Sequence, residues 1–308
     1  MMRKHLRTLL VLMIVVVCLI ATIRLFDWNE AALAIARIRL GILIGGGLPI
    51  LFAIFTLRGL RWLTVLGLKP TASRFWQSFC ANGAAAGLAS LTPFQLGEVV
   101  KIRLIPDHHG SAWRLGVSGF FAERALDLGS LLCMGLCGLS LHAGFPYLAP
   151  LALLLPLFGS LMLPLLAPLI RYLPVRMQPY LDAFRHKKRM VLACLLTIPI
   201  WLLYAALWWV AALALNVHLD FGEVTILLGG VTLAIVASMT PGGIGVSELG
   251  SRGIMLWLGA STADAEATAI AVRVLSPLII LAGATCLVPL LRQRRRSLSS
   301  QNTSPRDG

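Results

Sequence analysis

Charged residues inside apolar stretches are the residues of this sequence that could do chemistry. Glu123 and Asp127 lie four residues apart, with Arg124 between them, so the two acids share one face of a helix. Glu98 and Glu248 each follow an apolar run that is interrupted by proline and glycine. A charge at the centre of a membrane helix costs about 2.5 to 3.5 kcal/mol unless it is paired or hydrated. We therefore expect these acids to pair with bases or to line a binding site.

Basic residues near the same stretches are the expected contacts of an anionic ligand. The candidate phosphate contacts are Arg103, Arg252 and Arg273. For Glu123, Arg124 and Asp127 two interpretations stay open, namely salt bridges between helices and contacts to a substrate. Their close spacing is compatible with either role.

The two interruptions have nearly the same sequence. Ser90–Gly97 aligns without a gap with Ser238–Gly245, and both contain Ser-x-Thr-Pro followed by glycine. Proline clashes with the preceding turn and glycine relaxes the chain after it, so each site predicts a broken helix. Inside a bilayer, broken helices are tolerated only where they are buried in protein or line a wet cavity. Two breaks in corresponding halves indicate a transporter-like binding site, whereas the alternative is two unrelated loops that end helices.

Each break is expected to offer an anion site. The residues expected there are Pro93, Gly97, Glu98, Pro241, Gly243, Gly245 and Glu248. Glu98 and Glu248 are predicted to stand at the start of a half-helix, where the helix dipole stabilises an acid. The same helix starts would present free backbone N–H groups to a phosphate. The first turn carries Phe94-Gln95 where the second carries Gly242-Gly243, which makes the first turn bulkier.

No other pattern predicts catalysis, a metal site or a cofactor. The six cysteines lie in apolar runs without a CxxC pair, and the histidines lack ligand spacing. Ser247 is not part of a G-x-S-x-G elbow, and the sequence has no Walker motif. We therefore expect that the protein is not an enzyme, binds no metal and needs no cofactor.

The composition is that of an all-α polytopic membrane protein. Of the 308 residues, 58% are hydrophobic and 13% are charged, and apolar runs recur from end to end. The formal net charge is +14, but the basic residues form short clusters between apolar runs. Such clusters set the topology and contact anionic headgroups, so nucleic acid is not an expected partner. By the positive-inside rule both termini are cytoplasmic, together with the clusters Arg3–Arg7, Arg58–Arg74, Arg171–Arg189 and Arg292–Arg296.

The clusters predict about six full crossings and two re-entrant hairpins. The crossings are Leu9–Phe26, Leu40–Leu57, Leu115–Leu141, Leu148–Ile170, Met190–Leu215 and Thr268–Leu291. Three full crossings between Arg74 and Arg171 would place the third cluster outside. Phe75–Ile105 is therefore predicted to enter the membrane, turn at the first break and return, which leaves Lys101 and Arg103 on the cytoplasmic side.

The Val224–Leu258 stretch is predicted to form a second hairpin, entered from the opposite face of the membrane. Two oppositely oriented hairpins make an inverted-repeat layout. The alternative is eight spans, which needs one basic cluster on the outside. Residues 1–292 are expected to form the transmembrane domain, and the Arg- and Ser-rich residues 293–308 a disordered cytoplasmic tail.

Four motifs follow one another along the chain. They are Ser-x-Thr-Pro-x-x-x-Gly-Glu from Ser90 with basic residues up to Arg103, Glu-Arg-x-x-Asp at Glu123–Asp127, Pro-Gly-Gly-Ile-Gly-x-x-Glu at Pro241–Glu248, and Arg273 in the last span. In this order they resemble the lysylphosphatidylglycerol synthase transmembrane region, a flippase-like (UPF-type) family of integral membrane proteins. The similarity covers nearly the whole chain.

The resemblance implies a multi-pass protein of the bacterial inner membrane that handles lipids. In the synthase this region translocates the aminoacylated phospholipid, and relatives occur beside glycolipid, polysaccharide and hopanoid pathways. The synthase also carries a soluble aminoacyl-transferase domain, whereas a short polar tail follows Leu291, so synthase activity is not expected. We expect a translocator of a modified, anionic or glycosylated lipid. The alternative is a non-transporting scaffold for a lipid-modifying enzyme or glycosyltransferase; the sequence predicts no oligomeric state.

Overall fold

A computed structural model describes residues 36–103, 112–162, 172, 178–238 and 240–302 of the protein. Within these ranges every regular element is a helix, which confirms the all-α prediction. The α-helices are α1 (Leu40–Leu66), α2 (Ala72–Ala89), α3 (Val100–Arg103), α4 (Ala112–His142), α5 (Leu148–Met162), α6 (Lys187–Ala214), α7 (Phe221–Ala237), α8 (Val246–Trp257) and α9 (Thr262–Asn302). The 3₁₀ helices are Pro93–Val99, Gln178–Arg185 and Pro241–Gly243.

Among the described residues, four helices are long and apolar enough to cross a membrane, namely α1, α4, α6 and α9. They coincide with four of the predicted crossings, which confirms a multi-pass membrane protein. The predicted crossing Leu9–Phe26 lies outside the described residues, and Leu148–Ile170 is described as far as Met162. The orientation in the membrane, and the choice between re-entrant hairpins and eight spans, stay predictions.

Both predicted helix breaks are present, and they begin in the same way. Thr92 and Thr240 have extended backbone, and the proline after each is the first residue of a 3₁₀ helix. Proline suits a first helical position because its missing N–H is unused there, and it is excluded from the interior of the preceding helix. The Thr-Pro pair therefore ends one helix and starts the next in both halves of the chain.

At each break the chain turns back onto the helix that precedes the break. After the first break the chain folds back on α2, and a Cβ added at Gly97 would overlap the backbone of Leu88 and Ala89. The Gly97 N–H donates to Thr92 Oγ1 at 2.8 Å, which fixes this close approach. After the second break α8 packs against α7. A glycine is therefore required at position 97, because any side chain there would clash with α2.

The bulkier first turn adopts the glycine geometry of the second. Gln95 has a φ of 53°, and Gly243, the residue aligned with it, has a φ of 68°. A positive φ is unfavourable for a residue that carries a Cβ. The first break thus repeats at Gln95 a backbone turn for which the second break uses glycine.

Helices from the first half of the described chain pack against helices from the second half. α1 and α6 pack together, and each contains an internal proline, Pro49 and Pro199. The two halves have corresponding helices: α1 corresponds to α6, α2 to α7 and α4 to α9. α2 packs mainly on α9, and α7 mainly on α4, so equivalent helices make equivalent interfaces with the other half. This exchange of partners supports the predicted repeat.

The breaks themselves meet at the centre of this exchange. Their 3₁₀ helices are in contact, and a Cβ added at Gly242 would overlap the carbonyl oxygen of Ser90. The two segments that the sequence singles out as a related pair are therefore neighbours in space.

The last helix is longer than the sequence predicts. α9 continues to Asn302, so residues 293–302 are helical where the sequence predicts disorder. The division of the chain into a transmembrane domain and a tail stays a prediction.

Candidate functional site

A cavity of about 500 Å³ lies where the two breaks meet. The first break contributes Gln95 and Glu98 to its wall, and the second contributes Gly242 and Ser247. Helices α1, α2, α4, α6, α7 and α9 complete the wall. The volume lies in the range of about 300 to 1,000 Å³ that is usual for sites of small ligands. The ionic residues of the wall are Arg58, Arg61, Glu98, Arg124 and Asp127.

Arg61 of α1 is the centre of a buried ion-pair network on one wall, with an exposed fraction of 1%. Its guanidinium donates to the two oxygens of Asp127 at 2.6 and 3.2 Å and to Glu123 Oε1 at 3.1 Å. Both acids come from one face of α4, as their spacing predicts. From α6, Thr197 accepts from Arg61 at 3.1 Å and Trp201 Nε1 donates to Asp127 at 3.3 Å. Three helices are therefore joined at this arginine.

Glu98 joins the first break to the same network. Its carboxylate accepts from Arg58 at 2.5 Å and from Lys101 at 3.0 Å, and it lies 3.7 Å from Arg124. Lys101 also pairs with Glu123 of α4. Glu98 lies in the 3₁₀ helix Pro93–Val99, and α3, the helix that follows, is described from Val100 to Arg103. Neighbouring cations stabilise Glu98, and the contribution of a helix dipole there stays a prediction.

Among the residues that the structure describes, the network holds one more cation than anion. Its members are Arg58, Arg61, Lys101 and Arg124 against Glu98, Glu123 and Asp127, a net charge of 4 − 3 = +1. Each of the carboxylates has at least two cationic partners. By contrast, the Nε atoms of Arg58 and Arg124 are buried and have no hydrogen-bond partner. Both arginines line the cavity, so the surplus charge and the unused donors lie at its wall.

Arg273 of α9 holds the second break. Its Nε donates to Glu248 Oε1 at 2.6 Å, and its Nη2 donates to Ser247 Oγ at 2.7 Å. Glu248 is in the first turn of α8 and accepts from the N–H of Gly245 at 2.9 Å. The predicted acid at a half-helix start is therefore confirmed for Glu248. The pair of Arg273 and Glu248 is neutral overall, in contrast to the network at the first break.

Three backbone donors of the breaks, at Gly97, Gly243 and Gly245, are already bound. The N–H of Gly97 donates to Thr92 Oγ1 and that of Gly245 donates to Glu248 Oε2. The N–H of Gly243 donates to the carbonyl of Thr240 at 3.1 Å. The prediction of free N–H groups is wrong at these positions because side chains and carbonyls of the breaks occupy them.

Two of the predicted phosphate contacts lie away from the cavity. Arg103, at the end of α3, is exposed, and Arg252 of α8 pairs with the buried Glu266 of α9 at 3.5 Å. Neither lines the cavity. Arg273 reaches the cavity wall through Ser247. The structure thus brings Glu98, Glu123 and Asp127 into one network, whereas Glu248 pairs separately with Arg273.

The basic residues that pair with these acids are Arg58, Arg61 and Lys101, which are predicted to lie on the cytoplasmic side. Arg58, Arg61 and Lys101 have exposed fractions of 6%, 1% and 0%. Counting basic residues for topology does not separate a base at an interface from one that pairs with an acid on another helix. The available signal is the spacing of Arg58 and Arg61, which puts both on one face of α1 and complements the acids of α4.

Spanning helices, two broken hairpins that meet, and an ionic cavity between them define a polytopic integral membrane protein with an internal polar site. The chain belongs to the family described as the Lysylphosphatidylglycerol synthase TM region, whose model matches residues 8–283. The resemblance carried by the four motifs is thereby confirmed. Searches of curated proteins and of solved structures return no match. The protein is thus an integral membrane protein of a lipid-related family.

Proposed function

We propose that this protein moves a lipid with an anionic or modified headgroup between the leaflets of the bacterial inner membrane, with the headgroup passing through the cavity at the two breaks. The observation that carries the proposal is the buried ion-pair network on the cavity wall. A headgroup that crosses hydrocarbon loses its hydration at a cost of several kcal/mol. Charged side chains along the path replace part of that hydration. The proposed activity involves no covalent chemistry.

The cavity wall has both charged and apolar surface, as the passage of a lipid headgroup requires. Its ionic residues contact one another and so occupy one region of the wall, whereas Leu131, Leu207, Leu228 and Ile279 supply apolar surface elsewhere. A volume of about 500 Å³ suits a headgroup rather than a whole lipid. The acyl chains are then expected to stay in the surrounding bilayer while the headgroup crosses.

The breaks supply backbone that can change direction during such a passage. Gly242, Gly243 and Gly245 have positive φ angles, and hinges of this kind absorb backbone changes while packed helices stay rigid. The contact of Gly242 with Ser90 links the second hinge to the first. Opening of one hairpin is therefore expected to alter the packing of the other.

Transport of labelled lipid in proteoliposomes tests the proposal. Purified protein is reconstituted with phosphatidylglycerol that carries a fluorophore on one acyl chain, and dithionite bleaches the label in the outer leaflet. The protein is expected to raise the bleached fraction above the half found in empty vesicles. Glu98→Gln, Glu248→Gln and Arg273→Ala should each slow this exchange, and if all three leave it unchanged the proposed path is wrong.

A matched control comes from Asp182→Asn. Asp182 pairs with Arg185 at 3.9 Å on an exposed surface, so its neutralisation should leave transport unchanged. Size-exclusion profiles of each variant separate loss of fold from loss of transport. A stable complex with a lipid-modifying enzyme or glycosyltransferase, combined with no movement of any lipid, would instead support the scaffold alternative.

A further inference from the structure

Two of the residues that line the cavity are exposed. Leu96 of the first break is 57% exposed and Leu128 of α4 is 39% exposed, whereas the other lining residues are buried or half-buried. Both exposed side chains are apolar. Lipid chains are as apolar as leucine, so these side chains are suited to contact with the bilayer.

Leu128 belongs both to the cavity wall and to an exposed apolar face of α4. This face consists of Phe121, Leu128, Leu132, Leu136 and Leu139, whose spacing places them on one side of the helix. Because α4 is long and apolar enough to span a membrane, we expect the face to contact lipid. At Leu128 the wall of the cavity therefore continues into the lipid-facing surface.

Side chains join the first break to α4 next to the exposed leucines. The 3₁₀ helix of the break packs mainly on α2, with further contacts to the second break and α7. Towards α4, Gln95 Oε1 accepts from Arg124 Nη1 at 3.5 Å, which is long for a hydrogen bond. Gln95 precedes Leu96, and Arg124 lies one helical turn before Leu128. A weak side-chain contact therefore lies between the two exposed leucines.

Gln95 keeps a side chain at a position where the second break has glycine. Its φ is 53°, a conformation that is unfavourable for a residue with a Cβ. Strained residues of this kind are found at ligand clamps and switch regions. In the second break Ile244, which aligns with Leu96, is exposed but does not line the cavity. The exposed part of the cavity wall is thus a feature of the first break.

We infer that the cavity opens sideways into the bilayer between the first break and α4. Leu96 and Leu128 frame this lateral portal, and the contact of Gln95 with Arg124 is the latch that closes it. A lipid whose headgroup occupies the cavity extends its glycerol and acyl chains through the portal. The inference rests on the proposed function, and it concerns the route of the lipid rather than the identity of its headgroup.

Bulky substitutions at the frame test the portal. Leu96→Trp and Leu128→Trp place a larger side chain in the opening, and each should slow exchange of the labelled phosphatidylglycerol about fivefold or more. Leu132→Trp makes the same change one turn further along the lipid-facing surface of α4, away from the cavity wall, and should retain the rate. Equal rates in the three variants overturn the inference and leave the proposed function standing.

Two substitutions at Gln95 test the latch in opposite directions. Gln95→Ala removes the contact with Arg124, whereas Gln95→Glu converts it into a charge-assisted hydrogen bond. Both variants keep a Cβ at the same positive φ, so the backbone strain is equal in the two. Exchange should be faster than in the unchanged protein for Gln95→Ala and slower for Gln95→Glu. Changes in the same direction, or no change in either, overturn the role of the latch.

Photolabelling tests the portal independently of transport. Phosphatidylglycerol with a diazirine on one acyl chain is reconstituted with the protein, and the adducts are mapped by mass spectrometry. Leu131 lines the cavity and is 1% exposed, so an adduct there requires an acyl chain inside the portal, and Leu128→Trp should remove it. Adducts at Leu131 without lipid exchange would support the portal and contradict the proposed function. Adducts confined to lipid-facing residues such as Leu132 and Leu136 overturn the inference.

Discussion

The guanidinium of Arg58 binds the carboxylate of Glu98 at 2.5 Å, although forty positions separate the two residues along the chain. The pair connects the first spanning helix to the first break. Its side chains are 7% and 4% exposed, so water screens the interaction little. The position of the break relative to α1 is therefore fixed by charge as well as by packing.

A double-mutant cycle at this pair should reveal strong coupling. Arg58→Gln and Glu98→Gln each leave a buried charge without a main partner, whereas the double variant removes both, so the two losses should not add. We expect a coupling of about 1 to 3 kcal/mol from reversible unfolding in mixed detergent micelles. The same cycle at the exposed pair Arg185 and Asp182 should give less than about 1 kcal/mol. Equal coupling at both pairs would contradict a structural role for the buried one.

Gly97 should tolerate no side chain. Gly97→Ala introduces a Cβ that overlaps the backbone of Leu88 and Ala89, so we expect a loss of about 1 to 3 kcal/mol in the free energy of unfolding, or failure to fold. The control is Gly253→Ala in α8, where a Cβ meets no atom within 4 Å and alanine favours the helix by about 0.5 to 1 kcal/mol. If Gly97→Ala is as stable as Gly253→Ala, the chain does not fold back on α2 as described.

Gln95 should be more stable as glycine than as alanine. Both substitutions remove the side chain from the cavity wall, but only glycine relieves the positive φ of 53°. A left-handed residue with a Cβ costs about 1 to 2 kcal/mol, so Gln95→Gly should exceed Gln95→Ala by about 1 kcal/mol in the free energy of unfolding. Equal stability of the two variants would show that the backbone at residue 95 does not have this conformation.

The orientation in the membrane can be checked with single cysteines. Asp220 and Asp264 are exposed and are predicted to lie outside, whereas the exposed Lys69 is predicted to lie inside. In right-side-out vesicles a membrane-impermeant maleimide should label Asp220→Cys and Asp264→Cys, and should label Lys69→Cys only after permeabilisation. The cysteine-free chain provides the background. Immediate labelling of Lys69→Cys would contradict both the predicted orientation and the cytoplasmic termini.

The features that the sequence predicts well are those with local causes. Proline and glycine act on the chain within a few residues, so Thr92-Pro93 and Thr240-Pro241 identify both breaks without knowledge of the fold. Apolar length likewise predicts the spanning helices. The similarity of the two breaks also predicts that they belong together, and their contact in space agrees with this.

The ion pairs could not be predicted from the sequence, because they depend on which helices contact each other. Arg61 meets Glu123 and Asp127 only because α1 packs beside α4. The spacing of the charges shows which face of each helix they share, but it does not show which helix lies next to that face. Of the two interpretations left open for these acids, salt bridges between helices are present, and contact with a substrate stays a prediction. Glu123 is wholly buried in salt bridges, whereas Asp127 has salt bridges and also lines the cavity.

The exchange of helices between the halves has a consequence for how the chain is made. α2 is synthesised early, but its main partner α9 comes last, and the two meet where Gly87 lies against Gly283. During synthesis this small-residue face of α2 has no protein surface to pack on. The interface between α2 and α9 therefore forms only after α9 has entered the bilayer, and nascent chains that stop before Gly283 should be substrates for membrane proteases.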